Sequence, residues 1–304
     1  MTTAYVFPGQ GSQVVGMGSD WLGRSPLVKS TFEQADDALG EDLSRVILEG
    51  PMDVLTSTMN ASPALLTVAV AYWRVLEAEG LAPDVVAGHS LGEYSALVCA
   101  GALDFSDAVR LTRLRGEAMQ SAVPVGVGTM AAIIGIKDPD VIQQLCDEAS
   151  EGQVLEPSAY NTMGQVVIAG HVEAVERACG LARSHRGIAK QLNVSAPFHC
   201  SLLAPAGERL EVALAEVDVA PLAVPYVPNV TATWSSSSSA DEIRARLVRQ
   251  VSTPVLWQQS MAEMIDHGVD SWLEVGAGRT LCGLIKRFDR KAVASEFESE
   301  SWRS

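Results

Sequence analysis

Residues 88–92 read Gly-His-Ser-Leu-Gly, between the apolar run Asp84–Ala87 and the helix-like stretch Leu91–Ala100. A serine flanked by glycines at such a junction requires a sharp strand-to-helix turn, in which the glycines leave room and the hydroxyl is lifted clear of the backbone. The chain is thereby limited to folds in which a strand feeds directly into a helix. Ser90 itself has two readings, a nucleophile or the N-cap of the helix that follows.

The rest of the first half keeps this alternation. Ala4–Phe7 is a strand stopped by Pro8-Gly9, Pro63–Glu79 has helical periodicity with a proline near its start, and Ser106–Val123 is a further helix. Such alternation predicts an α/β domain with a largely parallel sheet. The rhythm changes after Val125-Gly126-Val127-Gly128. Strand Met130–Ile136, helix Asp138–Ser150, strands Pro157–Asn161 and Val166–Ala169, helix Val172–Ser184 and strand Ala189–Val194 follow in the ferredoxin-like order βαββαβ. The expected organisation is therefore a large domain of residues 1–125 and 196–304 interrupted by a small one of 126–195. The resumed part carries helices at Leu202–Ala215, Ala240–Val251 and Leu256–His267, a strand around Val224–Val230, and a strand-turn-helix at Trp272–Arg287. The serine run Ser235–Ser239 reads as a flexible surface loop.

Composition narrows the function classes. The 304 residues, 47% of them hydrophobic, can bury a sizeable core. The apolar stretches Ala64–Trp73 and Met130–Ile136 fall short of the roughly 18–20 residues that span a bilayer, and MTTAYVFPGQG has no features of a secretory signal, so a cytoplasmic protein is expected. Five scattered cysteines without C-x-x-C spacing suggest neither a disulfide framework nor a zinc site. A net charge of −15 with no long basic run argues against nucleic acid as a partner.

A nucleophilic serine needs a base. Of the five histidines, His89 adjoins Ser90 but would point to the other side of the turn, while His171, His185 and His267 stand at element ends in polar company. His199, in Ser195-Ala196-Pro197-Phe198-His199, lies at the expected domain boundary and can be read as a base or as a capping residue. Gly9-Gln10-Gly11 after the first strand could cradle a phosphate or offer the Gln10 N–H to an oxyanion hole. Arg115 projects from the face formed by Ala108, Leu111, Ala118, Met119 and Ala122, whereas Arg110, Arg113 and Glu117 fall on the wet side. No acid stands at i±3 or i±4 of Arg115, so its partner comes from elsewhere: an internal acid, or a bound carboxylate held in a bidentate pair.

Taken together, the blocks FPGQGSQ (Phe7–Gln13), SPALL (Ser62–Leu66), GHSLGEYSALVCAG (Gly88–Gly101), RGEAMQSAVP (Arg115–Pro124), GQVVIAGH (Gly164–His171), SAPFH (Ser195–His199) and EVGAGRTLCGL (Glu274–Leu284) resemble the malonyl-CoA:acyl carrier protein transacylase family. The resemblance implies an α/β-hydrolase-like large domain with a ferredoxin-like insertion. It implies Ser90 as nucleophile, His199 as its base, and Gln250 orienting the histidine, so that an amide group stands in place of a carboxylate third member. The N–H groups of Gln10 and Leu91 would form the oxyanion hole and Arg115 would hold the acyl carboxylate. Phe198, Asn161 and Met163 would line the acyl pocket, Met163 where a proline is common; Phe198 goes with malonyl rather than methylmalonyl choice. The implied substrate is a coenzyme A thioester with no bound cofactor or metal. The implied partner is an acidic acyl carrier protein bearing phosphopantetheine, met by Arg183, Arg186 and Lys190 or by Lys286, Arg287, Arg290 and Lys291, and the protein would be a monomer. The implied setting is fatty-acid or polyketide synthesis, and the competing readings are a trans-acting polyketide acyltransferase for another acyl group, a hydrolase that clears stalled acyl chains, and a non-catalytic carrier- or coenzyme-binding module.

Overall fold

A computed structural model describes residues 1–194, 196–300 and 302. Ser195, the first residue of the SAPFH block and the last of the expected insertion, lies outside the described residues, as do Ser301, Arg303 and Ser304.

Nine strands are formed among the described residues: β1 (Thr2–Phe7), β2 (Val85–Gly88), β3 (Gly128–Ile134), β4 (Leu155–Thr162), β5 (Gln165–His171), β6 (Ile188–Gln191), β7 (Tyr226–Val227), β8 (Val269–Glu274) and β9 (Val293–Glu296). The first sheet has the order β7-β2-β1-β8-β9, every neighbour parallel. Its inner strand residues Ala4–Phe7 and Val85–Gly88 are buried throughout, as a parallel sheet covered on both faces requires, whereas edge strand β9 has no buried residue. The second sheet, β4-β5-β3-β6, is antiparallel with the βαββαβ connection, and its helices Pro139–Ser150 and Val172–Leu181 pack over a separate apolar cluster around Ile133, Leu145, Ile168 and Val175. The molecule is thus an α/β-hydrolase-like parallel unit with a smaller ferredoxin-like one.

Helix Thr58–Ala78 is buried along most of its length and forms the centre of the larger core. It begins at Thr58, five residues before the expected start, so Pro63 lies inside it. The proline removes one N–H that would have met Met59, and the helix tolerates the gap because its flanks are packed: Ala61, Ser62 and Ala64 are all buried. Helix Phe105–Ser121 crosses it at Gly116, where a Cβ would stand 2.6 Å from the Thr58 carbonyl oxygen. That close crossing carries the adjacent Arg115 inward.

Three other expectations are corrected. Arg113 is not on a wet face: it is 8% exposed and pairs with Glu41 at 2.9 Å. Helix Pro26–Leu39, which the sequence pattern did not reveal, packs its buried residues Val28, Thr31, Phe32 and Ala35 on this side of the fold, and Glu41 follows directly after it. The serine run is also not a free loop. Ser235 exchanges two backbone hydrogen bonds with Tyr226, Arg246 donates to the Ser238 hydroxyl at 2.7 Å, and Ser239 closes a capping box with Glu242. Edge strand β9 was not expected at all.

The two sheets are stitched together where β4 runs beside Val255. The Val255 N–H donates to Ser158 and the Tyr160 N–H to Val255, both at 2.9 Å, while Leu256 N–H donates to the Asn229 carbonyl. Among the described residues, no helix is long and apolar enough to cross a membrane, and all five cysteines are free thiols.

Candidate active site

The site lies beyond the carboxyl ends of β1, β2 and β8, where open parallel sheets place their ligands. Gly88 and Gly92 make the turn between β2 and helix Gly92–Cys99 possible. A Cβ on Gly88 would fall 1.9 Å from the Gly92 carbonyl, and one on Gly92 would fall 2.0 Å from the Phe7 carbonyl oxygen. Between them Ser90 adopts a left-handed backbone with φ 53°, and His199 does the same at φ 61°. Each such non-glycine residue costs about 1–3 kcal/mol and persists only where its surroundings hold it. The holding groups at Ser90 are Asn229 Oδ1, which accepts from Ser90 N–H at 2.7 Å, and Gln250 Nε2, which donates to Ser90 O at 2.8 Å.

Ser90 Oγ lies 2.6 Å from His199 Nε2, and His199 Nδ1 lies 2.7 Å from the main-chain carbonyl of Gln250. A carbonyl can only accept, so Nδ1 carries the hydrogen, Nε2 presents its lone pair, and the Ser90 hydroxyl donates to it. The support for the histidine is therefore the backbone oxygen of Gln250 and not its side-chain amide, which bonds Ser90 O, Glu93 and Arg115 instead. Burial, with the Arg115 charge adding to it, pushes His199 down to about 3 and keeps it in its neutral, proton-accepting form.

Arg115 is 3% exposed, and its Nη2 donates to Ser90 Oγ at 3.1 Å and to Gln250 Oε1 at 3.0 Å. Its Nε has no partner, its guanidinium stands over the Tyr94 ring at 5.8 Å, and burial holds its pKa below the usual range. These groups open on a cavity of about 330 Å³ lined from both sheets, with Gln10, Leu91, Asn161, Gln165, Phe198 and Leu281 on its wall. Among the described residues, the backbone N–H groups of Gln10 and Leu91 donate to no protein acceptor. Gly9 lets the Gln10 loop close on the turn, since a Cβ there would stand 2.5 Å from the His89 carbonyl oxygen.

His89 points away from Ser90, and its Nε2 donates to Asn161 Oδ1 at 2.8 Å across the seam between the sheets. Of the residues expected in the acyl pocket, Phe198 and Asn161 line the cavity, and Met163 does not. It occupies the tight β4–β5 turn, 63% exposed, where its side chain faces outward. His171, His185 and His267 are engaged elsewhere, with Val154 N–H, Glu148 and the Trp234 ring respectively. Among the described residues no cluster of His, Cys, Asp and Glu could hold a metal ion.

Sequence reasoning missed three buried polar residues. Asn229, besides holding Ser90, donates to Gly88 O at 2.6 Å. Glu93 accepts from Gln250 Nε2 at 2.8 Å and from Asn229 N–H at 3.2 Å. Glu274 accepts from the N–H groups of Leu281 and Cys282 and so seats the helix Thr280–Phe288 against the cavity. An acid directly after Gly92 in a helix that otherwise carries no charge was the available signal for Glu93. Asn229, in an irregular segment, gave none.

A neutral histidine within hydrogen-bond distance of a strained serine, beside a cavity lined by Gln10 and Leu91, is an arrangement suited to acyl transfer through a serine ester. The chain belongs to the acyl transferase domain family, matched over residues 4–296. Within that family it is similar to malonyl CoA-acyl carrier protein transacylases. It is 49% identical over 302 residues to the one from Escherichia coli (strain K12), covering 98% of this chain and 96% of that one. The crystal structure of acyl-carrier-protein S-malonyltransferase from Burkholderia pseudomallei 1710b superposes with a TM-score of 0.95 at 43% identity, covering 100% of both chains. A type II PKS acyl-carrier protein complex with its malonyl-transacylase gives a TM-score of 0.94 at 44% identity, covering 97% of this chain and 96% of that one.

Proposed function

We propose that the protein transfers a malonyl group from coenzyme A to the phosphopantetheine thiol of an acyl carrier protein. The observation that carries this reading is the buried Arg115 guanidinium 3.1 Å from Ser90 Oγ. A cation in that position selects an acyl group with a free carboxylate, and a hydrolase of general acyl chains would have no use for it.

Ser90 Oγ attacks the thioester carbonyl carbon while its proton passes to His199 Nε2. The oxygen that gains charge is met by the N–H groups of Gln10 and Leu91. Collapse breaks the carbon–sulfur bond, and the departing thiolate takes the proton from His199, leaving malonyl-Ser90 and free coenzyme A. The carrier thiol then repeats the sequence in reverse, giving its proton to His199 and receiving the acyl group. The bound carboxylate also neutralises Arg115, which removes one of the pressures that hold His199 down and makes the base stronger when the correct acyl group is present.

The same proposal takes residues 1–125 and 196–304 as one unit, 126–195 as an insertion, and the protein as a cytoplasmic monomer. No cofactor is needed beyond the coenzyme A thioester as substrate. Carrier docking would use two exposed basic groups, Arg183, Arg186 and Lys190 of the small unit, and Lys286, Arg287, Arg290 and Lys291 in and just after the helix Thr280–Phe288. Arg287 donates to Gln165, itself a lining residue. The test is to incubate the protein with labelled malonyl-CoA, locate the adduct by peptide mass, and add holo carrier protein. Malonyl on Ser90 that moves to the carrier is expected; no adduct, or label released only to water, overturns the reading.

A further inference from the structure

Behind the nucleophile lies a polar cluster that the transfer steps do not use. Glu93 is 1% exposed, and Gln250 and Asn229 are fully buried. Glu93 Oε2 accepts from the Gln250 amide and from the Asn229 N–H, while its Oε1 has no partner. The charged and titratable groups around it are Arg115, Arg246, Tyr94 and Tyr226.

The chemistry of the three atoms nearest the Gln250 amide admits one orientation. Glu93 Oε2 and Ser90 O are both acceptors and both lie 2.8 Å from Nε2. Arg115 Nη2 is a donor and lies 3.0 Å from Oε1. A flipped amide would set its oxygen against two acceptors and its NH2 against the guanidinium. Protonation of the carboxyl does not alter this, because the unpartnered Oε1 can carry the proton and Oε2 stays an acceptor.

We propose that Glu93 is a positioning residue for acyl-group selection: by fixing the amide of Gln250 it holds Arg115 in the orientation that receives the carboxylate of the acyl group. The inference rests on the role of Arg115 given above. It assigns to Glu93 a part in specificity, exerted through two intervening side chains and without contact with the substrate.

The experiment offers malonyl-CoA and acetyl-CoA in competition and reads the ratio of malonyl- to acetyl-Ser90 by peptide mass. The ratio is taken within one preparation, so the folded fraction cancels. Glu93→Met removes the acceptor, and the ratio falls about tenfold, the scale of one misaligned charge-assisted hydrogen bond. Glu93→Gln keeps an acceptor at Oε2 and stays within about threefold of the wild type, since a purely electrostatic loss is the smaller effect here. In an Arg115→Ala background Glu93→Met changes the ratio no further. The inference is overturned if Glu93→Met keeps the wild-type ratio, if Glu93→Gln falls as far as Glu93→Met, or if the effect persists without Arg115. It is equally overturned if Glu93→Met leaves no Ser90 reactive toward a fluorophosphonate, which would assign Glu93 to the fold. A wild type that takes up no malonyl overturns the malonyl reading and this inference with it, whereas a labelled wild type beside an unchanged Glu93→Met ratio overturns this inference alone.

Discussion

Arg115→Ala separates the two things that this arginine does in the site. For a malonyl donor it removes the counter-charge of the acyl carboxylate. A guanidinium–carboxylate pair at about 4 Å is worth about 4 kcal/mol at an effective dielectric of 20, and after desolvation about 3 kcal/mol survives, so malonyl loading falls roughly a hundredfold. For an acetyl donor no carboxylate is lost. The 3.1 Å hydrogen bond that holds Ser90 Oγ in its resting position disappears, and so does the positive charge that helps to depress His199. Both changes favour attack, so acetyl loading is unchanged or faster. The assay is the rate of acyl-Ser90 formation from each thioester at matched concentrations, with a thermal melt to check that the unpaired Gln250 Oε1 has not undone the fold. Equal loss for both donors would refute the reasoning and make Arg115 a structural residue.

Other consequences are open to simpler tests. Gly88→Ala places a Cβ 1.9 Å from Gly92 and is expected to lower stability by about 3 kcal/mol or more; a denaturant melt like the wild type, with Ser90 still reactive, would contradict the account of the turn. Glu156 accepts from both N–H and Oγ of Ser201, two residues past His199, at 2.8 and 2.6 Å. Glu156→Ala should therefore lower kcat about threefold to tenfold with little change in KM, and an unchanged kcat would count against it. Burial raises Glu93 from 4.5 to about 7, so the stability contributed by its protonated form is complete below 4.5 and is lost as pH rises through 7. His199 works in the other direction: depressed from 6.5 to about 3, it contributes stability above 6.5 that is lost as pH falls below that value. Glu93→Gln should gain stability relative to the wild type between about pH 5 and about pH 8.5 in urea melts; a constant difference would show that the carboxyl does not titrate in that range.

The strand-turn-helix at Ser90 was legible because two glycines in five residues leave the backbone few other courses. The inward Arg115 followed from helical periodicity, and the small sheet from the βαββαβ order. Periodicity says only which face is apolar, so it placed Arg113 in water when the helix Pro26–Leu39 and Glu41 had yet to be assigned to that side. Proline marked the start of a helix that in fact begins at Thr58, because the packed flanks outweigh one missing hydrogen bond. The serine run gave the appearance of a loose loop, although Arg246, a turn and a half along the next helix, ties it down. Tertiary hydrogen bonds were beyond reach of any local pattern: that the backbone of Gln250 serves His199 while its side chain serves Arg115, Ser90 and Glu93 can be seen only once residues far apart in sequence are placed together.

The paired hydrogen bonds between β4 and Val255 bear on how chains of this kind can be recombined. A graft that exchanges residues 126–195 between relatives would cut the chain at two loops, yet leave behind the third segment to which the small sheet is sewn. Val255 stands five residues after the carbonyl that orients His199, and Leu256 is anchored to the residue that holds Ser90. A mismatch at that seam would reach the base and the nucleophile together. A functional transplant of the small sheet has to bring residues 253–256 with it, although nothing in the linear order of the chain marks them as part of the same module.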